Sequence, residues 1–438
     1  MKKTNLIILI AVIVFVLVAA GGTYWFFFMQ APAPTTTGTG GTGQSGFQPF
    51  GRTTPFGGGS NTNATGTSTG NQNYNGWVPG APFKLPILRL LSDTPIGGYG
   101  ASTTASTTVV RWVDRGRGNV YEATYDSPLI TTISNTVVPR IYESMWNKNL
   151  TAFIGSLLPD GDRAPTNVYA QIVAHSTSTG AMTSTGSASG NASVTPFELR
   201  GKNLPTGLIG YAVSPDKSKL FMLINQNGNG VGYVSTFDGQ KTAAIFTSPL
   251  TEVNVDWPTD NAIAITTKGS SVYDGFLYLV NPKTGVWKRA VGPLPGLSAS
   301  VSHDGKYALV SSADGNNGIS TSIYSLASGT SANAAIHTLA DKCAWGNFYK
   351  DTVYCAVPSQ AVTGAYPEDW YAGTLSTIDK IWQLDALTGG VRLVSSITGQ
   401  SDRVVDAFNL GLDAKDGYLF FMNKDDLSFW SLDLVRSQ

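Results

Sequence analysis

Beyond about residue 84, apolar residues come in short runs of 5–7, rich in Val, Ile, Leu, Tyr and Trp. Each run is closed by Gly, Asp, Asn or Pro, the pattern of β-strands separated by tight turns. No stretch keeps a 3.6-residue apolar period over three turns, so helical repeats do not account for the chain. Three segments share one plan: YAVSPDKSKLFMLI, VDWPTDNAIAITT and SVSHDGKYALVSS. In each, an apolar strand leads into a turn containing Asp and then into a second apolar strand. Val213, Trp257 and Val301 stand 44 residues apart, and each is followed three residues later by Asp216, Asp260 or Asp304. A further 44 residues reaches Trp345.

The plan extends both ways. Trp146 lies 67 residues before Val213, with the surplus in a Ser/Thr/Gly tract at 176–193, and Leu412 lies 67 residues after Trp345, with the surplus at 359–379. An equivalent point near residue 100 completes seven units. In the unit around Trp257 four strands are predicted, at 252–257, 262–267, 275–280 and 287–291. Four antiparallel strands recurring every ~40–50 residues are the mark of a propeller blade. The expected fold is therefore all-β, a seven-bladed β-propeller of four-stranded antiparallel blades over 84–438. The last unit, with strands at 407–412, 418–422 and 427–433, stops one strand short. The segment LPILRLLSD (85–93) is predicted to supply the missing strand and so remove an unpaired edge.

The N-terminal region reads differently. Leu6 to Met29 is an uncharged stretch of 24 residues preceded by Lys2 and Lys3. Such a helix is long enough to cross a hydrocarbon core of ~30 Å, and the two lysines keep the N-terminus cytoplasmic. Residues 1–30 are thus expected to be a transmembrane signal anchor. The alternative is a signal peptide cleaved near Val18-Ala19-Ala20. Either reading places the body outside the cytoplasm, and the anchor reading holds it on the cell membrane, extracytoplasmic or at the cell surface. Residues 31–83 carry one charge, Arg52, among Gly, Thr, Ser, Asn and Pro. This composition predicts a disordered linker, about 40 Å end to end as a flexible coil.

Composition narrows the function classes. The chain has 29 basic and 29 acidic residues and no basic stripe, which argues against nucleic-acid binding. Two cysteines and three histidines (His175, His303, His337) give no metal-ligand spacing. Cys343 and Cys355 are equidistant from Tyr349 at the centre of a predicted hairpin. They should face each other across adjacent strands, either bridged as a disulfide or packed as buried thiols. Asp314-Gly315-Asn316-Asn317-Gly318 and Asp160-Gly161-Asp162 offer oxygen ligands to Ca²⁺ but fall short of a recognised loop's ligand count. The run Gly228-Asn229-Gly230-Val231-Gly232 lies between two strands and reads as a hairpin connection. No Gly-x-Ser-x-Gly lies within residues 84–438, and no histidine has an acid-base setting.

The insertion at 359–379 is the strongest candidate for binding. It falls between the second and third strands of its unit and carries Tyr366, Glu368, Asp369, Trp370 and Tyr371. Aromatic rings beside carboxylates suit a protein or glycan contact. In the alternative, Trp370 folds back to plug the central channel or cap its own blade. By the same topological reasoning Arg115 and Arg117, Asp162 and Arg163, Tyr273 and Asp274, and Asp425 and Asp426 form a polar rim on that face.

Ser214-Pro215-Asp216 and Ser302-His303-Asp304-Gly305, on inner hairpins, resemble the Ser-Pro-Asp-Gly turns of TolB-type and WD-repeat-like propellers. Over residues 84–438 the chain resembles an envelope-anchored member of that superfamily. The resemblance implies the fold. Function is read from the site: a non-enzymatic binding or scaffolding module for an envelope protein or polysaccharide. The alternatives are a structural spacer in a surface assembly or a carboxylate-dependent, glycan-active enzyme.

Overall fold

The predicted second strand of each unit is nearly continuously apolar, as in KLFMLINQ (Lys219–Gln226), TVYCAVP (Thr352–Pro358) and YLFFMN (Tyr418–Asn423). A strand covered on both faces needs no polar side, and these strands are buried along most of their length. The fourth strands, such as Ser331–Asn333 and Ala243–Ser248, are largely exposed. This gradient sets an inside and an outside for every sheet. The structure, a computed structural model, describes residues 78, 80–158, 165–174, 197–315, 318–362 and 364–437. The expected anchor at 1–30, nearly all of the linker, the tract at 176–193, and His175, Asp160, Asp162 and Arg163 lie outside the described residues. Among the described residues no helix is long and apolar enough to cross a membrane.

The described chain is all-β, built of four-stranded antiparallel sheets in sequence order, the construction of a β-propeller. Sheet A (residues 96–203) has eight strands. Its two antiparallel halves, A1 (96–134) and A2 (141–203), meet through one parallel bridge, Ser134 to Phe197. Sheets B (208–248), C (253–295), D (298–333) and E (343–395) have four strands each. Sheet F takes three strands from 407–433 and its fourth from Leu88–Ser92, which pairs antiparallel with Phe429–Asp433. The N-terminal strand therefore fills the edge that the last unit lacks. In sheet C the strands are Val253–Thr259, Ala262–Thr267, Asp274–Val280 and Trp287–Pro295, every bound within four residues of the expected one and the second strand matching at both ends.

Apolar clusters join each sheet to the next. Val113 and Val120 of A1 pack with Phe153 and Ile172 of A2, and Ile154 of A2 with Met222 of B. Phe221 of B meets Ile263 of C, and Leu277 of C meets Val310 of D. Leu309 of D meets Val353 of E, and Ile381 of E meets Phe421 of F. The last cluster returns to the start, with Phe420 and Phe429 of F against Ile96 and Trp112 of A1. Each large side chain so buried stabilises by about 1.5–3 kcal/mol. At the returning seam the Tyr99 ring stacks on Phe429 at 4.6 Å, and its hydroxyl donates to the Asn409 carbonyl at 2.7 Å.

The recurrent Asp has a local cause. The Ser214 hydroxyl donates to Asp216 at 2.6 Å and accepts the Lys219 N–H at 2.9 Å. Ser302 repeats this with Asp304 at 2.7 Å and Tyr307 N–H at 3.0 Å. Buried Ser and turn Asp thus satisfy the hairpin's backbone groups. The left-handed residue is Gly305 in one turn and Lys217 in the other. Lys219–Gln226 and Asn229–Thr236 form a hairpin whose turn is Asn227–Gly228, so of the expected connection only Gly228 lies between the strands and Asn229–Gly232 belong to the second strand.

Candidate functional site: the channel mouth

After Thr352–Pro358 the chain leaves sheet E and returns at Asp379–Asp385. Between them lies a one-turn helix, Glu368–Ala372, ended by left-handed Gly373. The Asp369 carboxylate accepts the Ala365 N–H at 2.9 Å and fixes the entry to this turn. Tyr366 and Trp370 point inward, at 2% and 4% exposure, and pack with Ile319 and Leu339. The fold-back geometry is therefore the one adopted by Trp370.

Its anchor is a buried ionic cluster. Lys342, Asp379 and Asp406 are each at 0% exposure. Lys342 Nζ lies 2.7 Å from Asp379 Oδ2, 2.6 Å from Asp406 Oδ1 and 2.6 Å from Thr377 Oγ1. Asp406 also accepts the Trp370 Nε1–H at 2.9 Å and the Thr377 N–H at 3.1 Å, while Asp379 accepts the Ala407 N–H at 2.7 Å. Lys342 and Lys424 stand 5.2 and 5.0 Å from the Trp370 ring centre. Burial drives the Asp379 carboxyl upward against the opposing pull of Lys342. Two buried carboxylates around one buried ammonium are tolerable because hydrogen bonds occupy the remaining lone pairs.

Beside this plug opens a cavity of about 870 Å³. Its wall comes from the inner strands of A2, C, D and F and from the turn before sheet E, and it includes Glu143, Asp256, Ser300, Asp341, Phe408 and Asn409. From the insertion, Glu368, Trp370 and Tyr371 complete it. Glu143, Asp256 and Asp341 are exposed on the cavity wall, with protein on every side of the space they face. Burial consequently pushes all three carboxyls above their ordinary range. Hydrogen bonds from Tyr211 and Ser156 oppose this at Glu143, the Trp257 N–H at Asp256, and Tyr371 and Ser298 at Asp341. The Tyr371 hydroxyl donates to Asp341 at 2.5 Å. At Glu368 burial is outweighed by hydrogen bonds, including Ser271 N–H at 2.5 Å and Ser271 Oγ–H at 2.9 Å, and its carboxyl lies below the usual range. Lys268, on the same wall, is paired with Glu252 at 2.7 Å.

The structure thus gathers Glu368, Trp370 and Tyr371 at the mouth and commits Tyr366 and Asp369 to holding the insertion. Asp425 accepts Ser376 Oγ–H at 2.6 Å, and Asp426 faces Arg403 at 3.3 Å. Arg115 and Arg117 line a different cleft. Tyr273 is well exposed. His303 lies with Nδ1 3.2 Å from the Gly346 carbonyl, and burial lowers its pKa. Cys343 pairs in register with Cys355, and their sulfurs are 2.15 Å apart in a disulfide. Among the described residues no group of three or more His, Cys, Asp or Glu could hold a metal ion. Sequence reasoning did not single out Glu143, Asp256, Asp341, Lys342 or Asp406. A signal for the first two was present, because a carboxylate within a short apolar inner strand (IYESMW, VNVDWPT) is costly to bury unpaired and so marks a position open to a cavity.

No family model matches the chain, and no curated protein does. Many solved structures are similar in fold. TolB from Acinetobacter baumannii is 14% identical with a TM-score of 0.38, over 73% of this chain and 60% of its own. An oligogalacturonate lyase in complex with manganese is 11% identical with a TM-score of 0.45, over 78% of this chain and 96% of its own. A puromycin-hydrolyzing peptidase of Mycobacterium tuberculosis is 12% identical with a TM-score of 0.45, over 77% of this chain and 53% of its own. At these values no activity passes from those proteins to this one. The chain's structural neighbours include TolB and TolB-like β-propeller proteins.

Proposed function

We propose that this chain is a membrane-tethered, extracytoplasmic binding or scaffolding module, non-enzymatic, whose partner is an envelope protein or polysaccharide. In this reading the propeller has seven blades, the two halves of sheet A counting as two. An N-terminal span and a flexible linker hold it off the membrane. The observation that carries the proposal is the cavity of about 870 Å³ beside the 359–379 insertion. Its wall is assembled from several sheets, so it is rigid before any ligand arrives, which lowers the entropic cost of binding. Carboxylates, amides and the Tyr371 and Phe408 rings converge on it, a lining suited to amines, hydroxyls and apolar faces.

Proximity labelling on intact cells, with the label at the C-terminus, tests this against the Glu143→Gln/Asp256→Asn double variant. Enrichment of a few envelope proteins, lost in the variant, supports a protein partner. Enrichment no greater than that of an unrelated tethered protein, together with no retention on envelope polysaccharides, overturns the proposal. A second reading, a glycan-active enzyme, is favoured by one observation: Asp341, its carboxyl raised by burial, is held by Tyr371 in the cavity that also contains Glu143 and Asp256. A carboxyl whose pKa burial raises has the direction of shift that a general acid needs. Glycan cleavage abolished by Asp341→Asn would establish that reading.

A further inference from the structure

On the face of the molecule that carries the sheet-to-sheet connections, a second cleft of about 650 Å³ opens at the junction of A1 and A2. Its lining includes Arg115, Arg117 and Arg140 with Pro95, Tyr121 and Leu158. We propose that this cleft binds an oxyanion, a phosphate or carboxylate group carried by an envelope polymer.

The turn that presents two of the arginines is held on both sides. Arg115 N–H donates to the Pro95 carbonyl at 2.9 Å, and Val138 N–H donates to the Arg117 carbonyl at 2.8 Å. Asp114 Oδ1 accepts the Arg117 N–H at 2.6 Å, so that carboxylate oxygen serves the turn. Gly118, at φ +80°, packs so closely that a Cβ there would stand 2.3 Å from the Val138 carbonyl oxygen. The guanidinium groups therefore start from a fixed backbone.

Elsewhere cations have partners: Arg111 with Glu122, Lys202 with Asp238, Arg436 with Asp433 and Lys342 with two aspartates. Among the described residues, neither the Arg115 nor the Arg117 guanidinium pairs with a carboxylate. Arg115 is half-buried, and burial lowers its pKa, a desolvation that an incoming anion would offset. Two guanidinium forks beside a third arginine match the paired oxygens of phosphate or carboxylate. Tyr121, Pro95 and Leu158 offer apolar wall to whatever carries the group.

Calorimetric titration of the full-length protein with a glycerol-phosphate oligomer and, in parallel, with a uronate oligosaccharide tests the proposal and separates the two sources. Saturable binding of either is expected, weakening with salt. It should fall about tenfold or more in Arg115→Ala/Arg117→Ala, the loss of charge-assisted hydrogen bonds, and remain unchanged in Lys283→Ala, at an exposed turn outside both cavities. No binding of either oligomer, or wild-type affinity in the double variant, overturns it. If the double variant melts lower than wild type, Arg117→Gln at the exposed position replaces it, and unchanged affinity there overturns the proposal equally.

Discussion

The plug beside the channel and the arginine cleft treat charge in opposite ways. At the plug, Lys342 is out of water but enclosed by Asp379, Asp406 and Thr377, with Trp370 donating to the same carboxylate. In the cleft, Arg115 and Arg117 line open space on a clamped turn without a carboxylate partner among the described residues. The first arrangement joins sheet E, sheet F and the insertion, so its charges serve folding. The second does nothing for the core, so its charges are available to a ligand. A charged cluster is thus informative about function where it is left incomplete.

The largest effect should come from Lys342→Met. It leaves Asp379 and Asp406 buried without a cation, and denaturant unfolding should show a loss of about 3–5 kcal/mol. If the loss is below about 1 kcal/mol, the plug is not anchored by the cluster. Trp370→Phe keeps the ring and removes one donor to Asp406, with an expected loss of about 1–3 kcal/mol. It should also make the insertion more susceptible to proteolysis than in the wild type.

The channel carboxyls lie between these extremes. Because burial raises the Asp256 carboxyl, the folded state prefers its protonated form. Stability from this group is fully present below the unfolded carboxyl pKa and is lost as pH rises through the folded value. Asp256→Asn should therefore raise the melting temperature at neutral pH relative to wild type, and the gain should vanish in acid. An equal gain at both pH values would remove the electrostatic explanation. Smallest of all, Arg115→Ala/Arg117→Ala should change stability by no more than about 0.5 kcal/mol. A larger loss would mean that the cleft, like the plug, is structural.

Much of the fold was legible in the chain because its causes are local. The 44-residue recurrence of Val213, Trp257 and Val301 with an Asp three positions on reflects one hairpin turn used repeatedly, in which Ser214 and Ser302 bond Asp216 and Asp304. The pairing of Leu88–Ser92 with the last strand followed from counting strands. The site was only partly legible. The insertion was located by its surplus length and Glu368 and Tyr371 by their chemistry, but nothing in the local pattern shows that Trp370 turns inward onto Asp406. Asp369, an apparent contact residue, caps the insertion's own turn.

Strand length, turn chemistry and the alternation of apolar positions belong to the sequence alone, since each is decided within a few neighbouring residues by side-chain period and backbone preference. The tertiary structure alone decides that Glu143 of A2, Asp256 of C and Asp341 of the turn before sheet E share one cavity, and that Lys342 meets Asp379 and Asp406 away from water. Those meetings depend on the last sheet packing back against the first, a contact between Phe429 and Trp112 that only the closed chain can make.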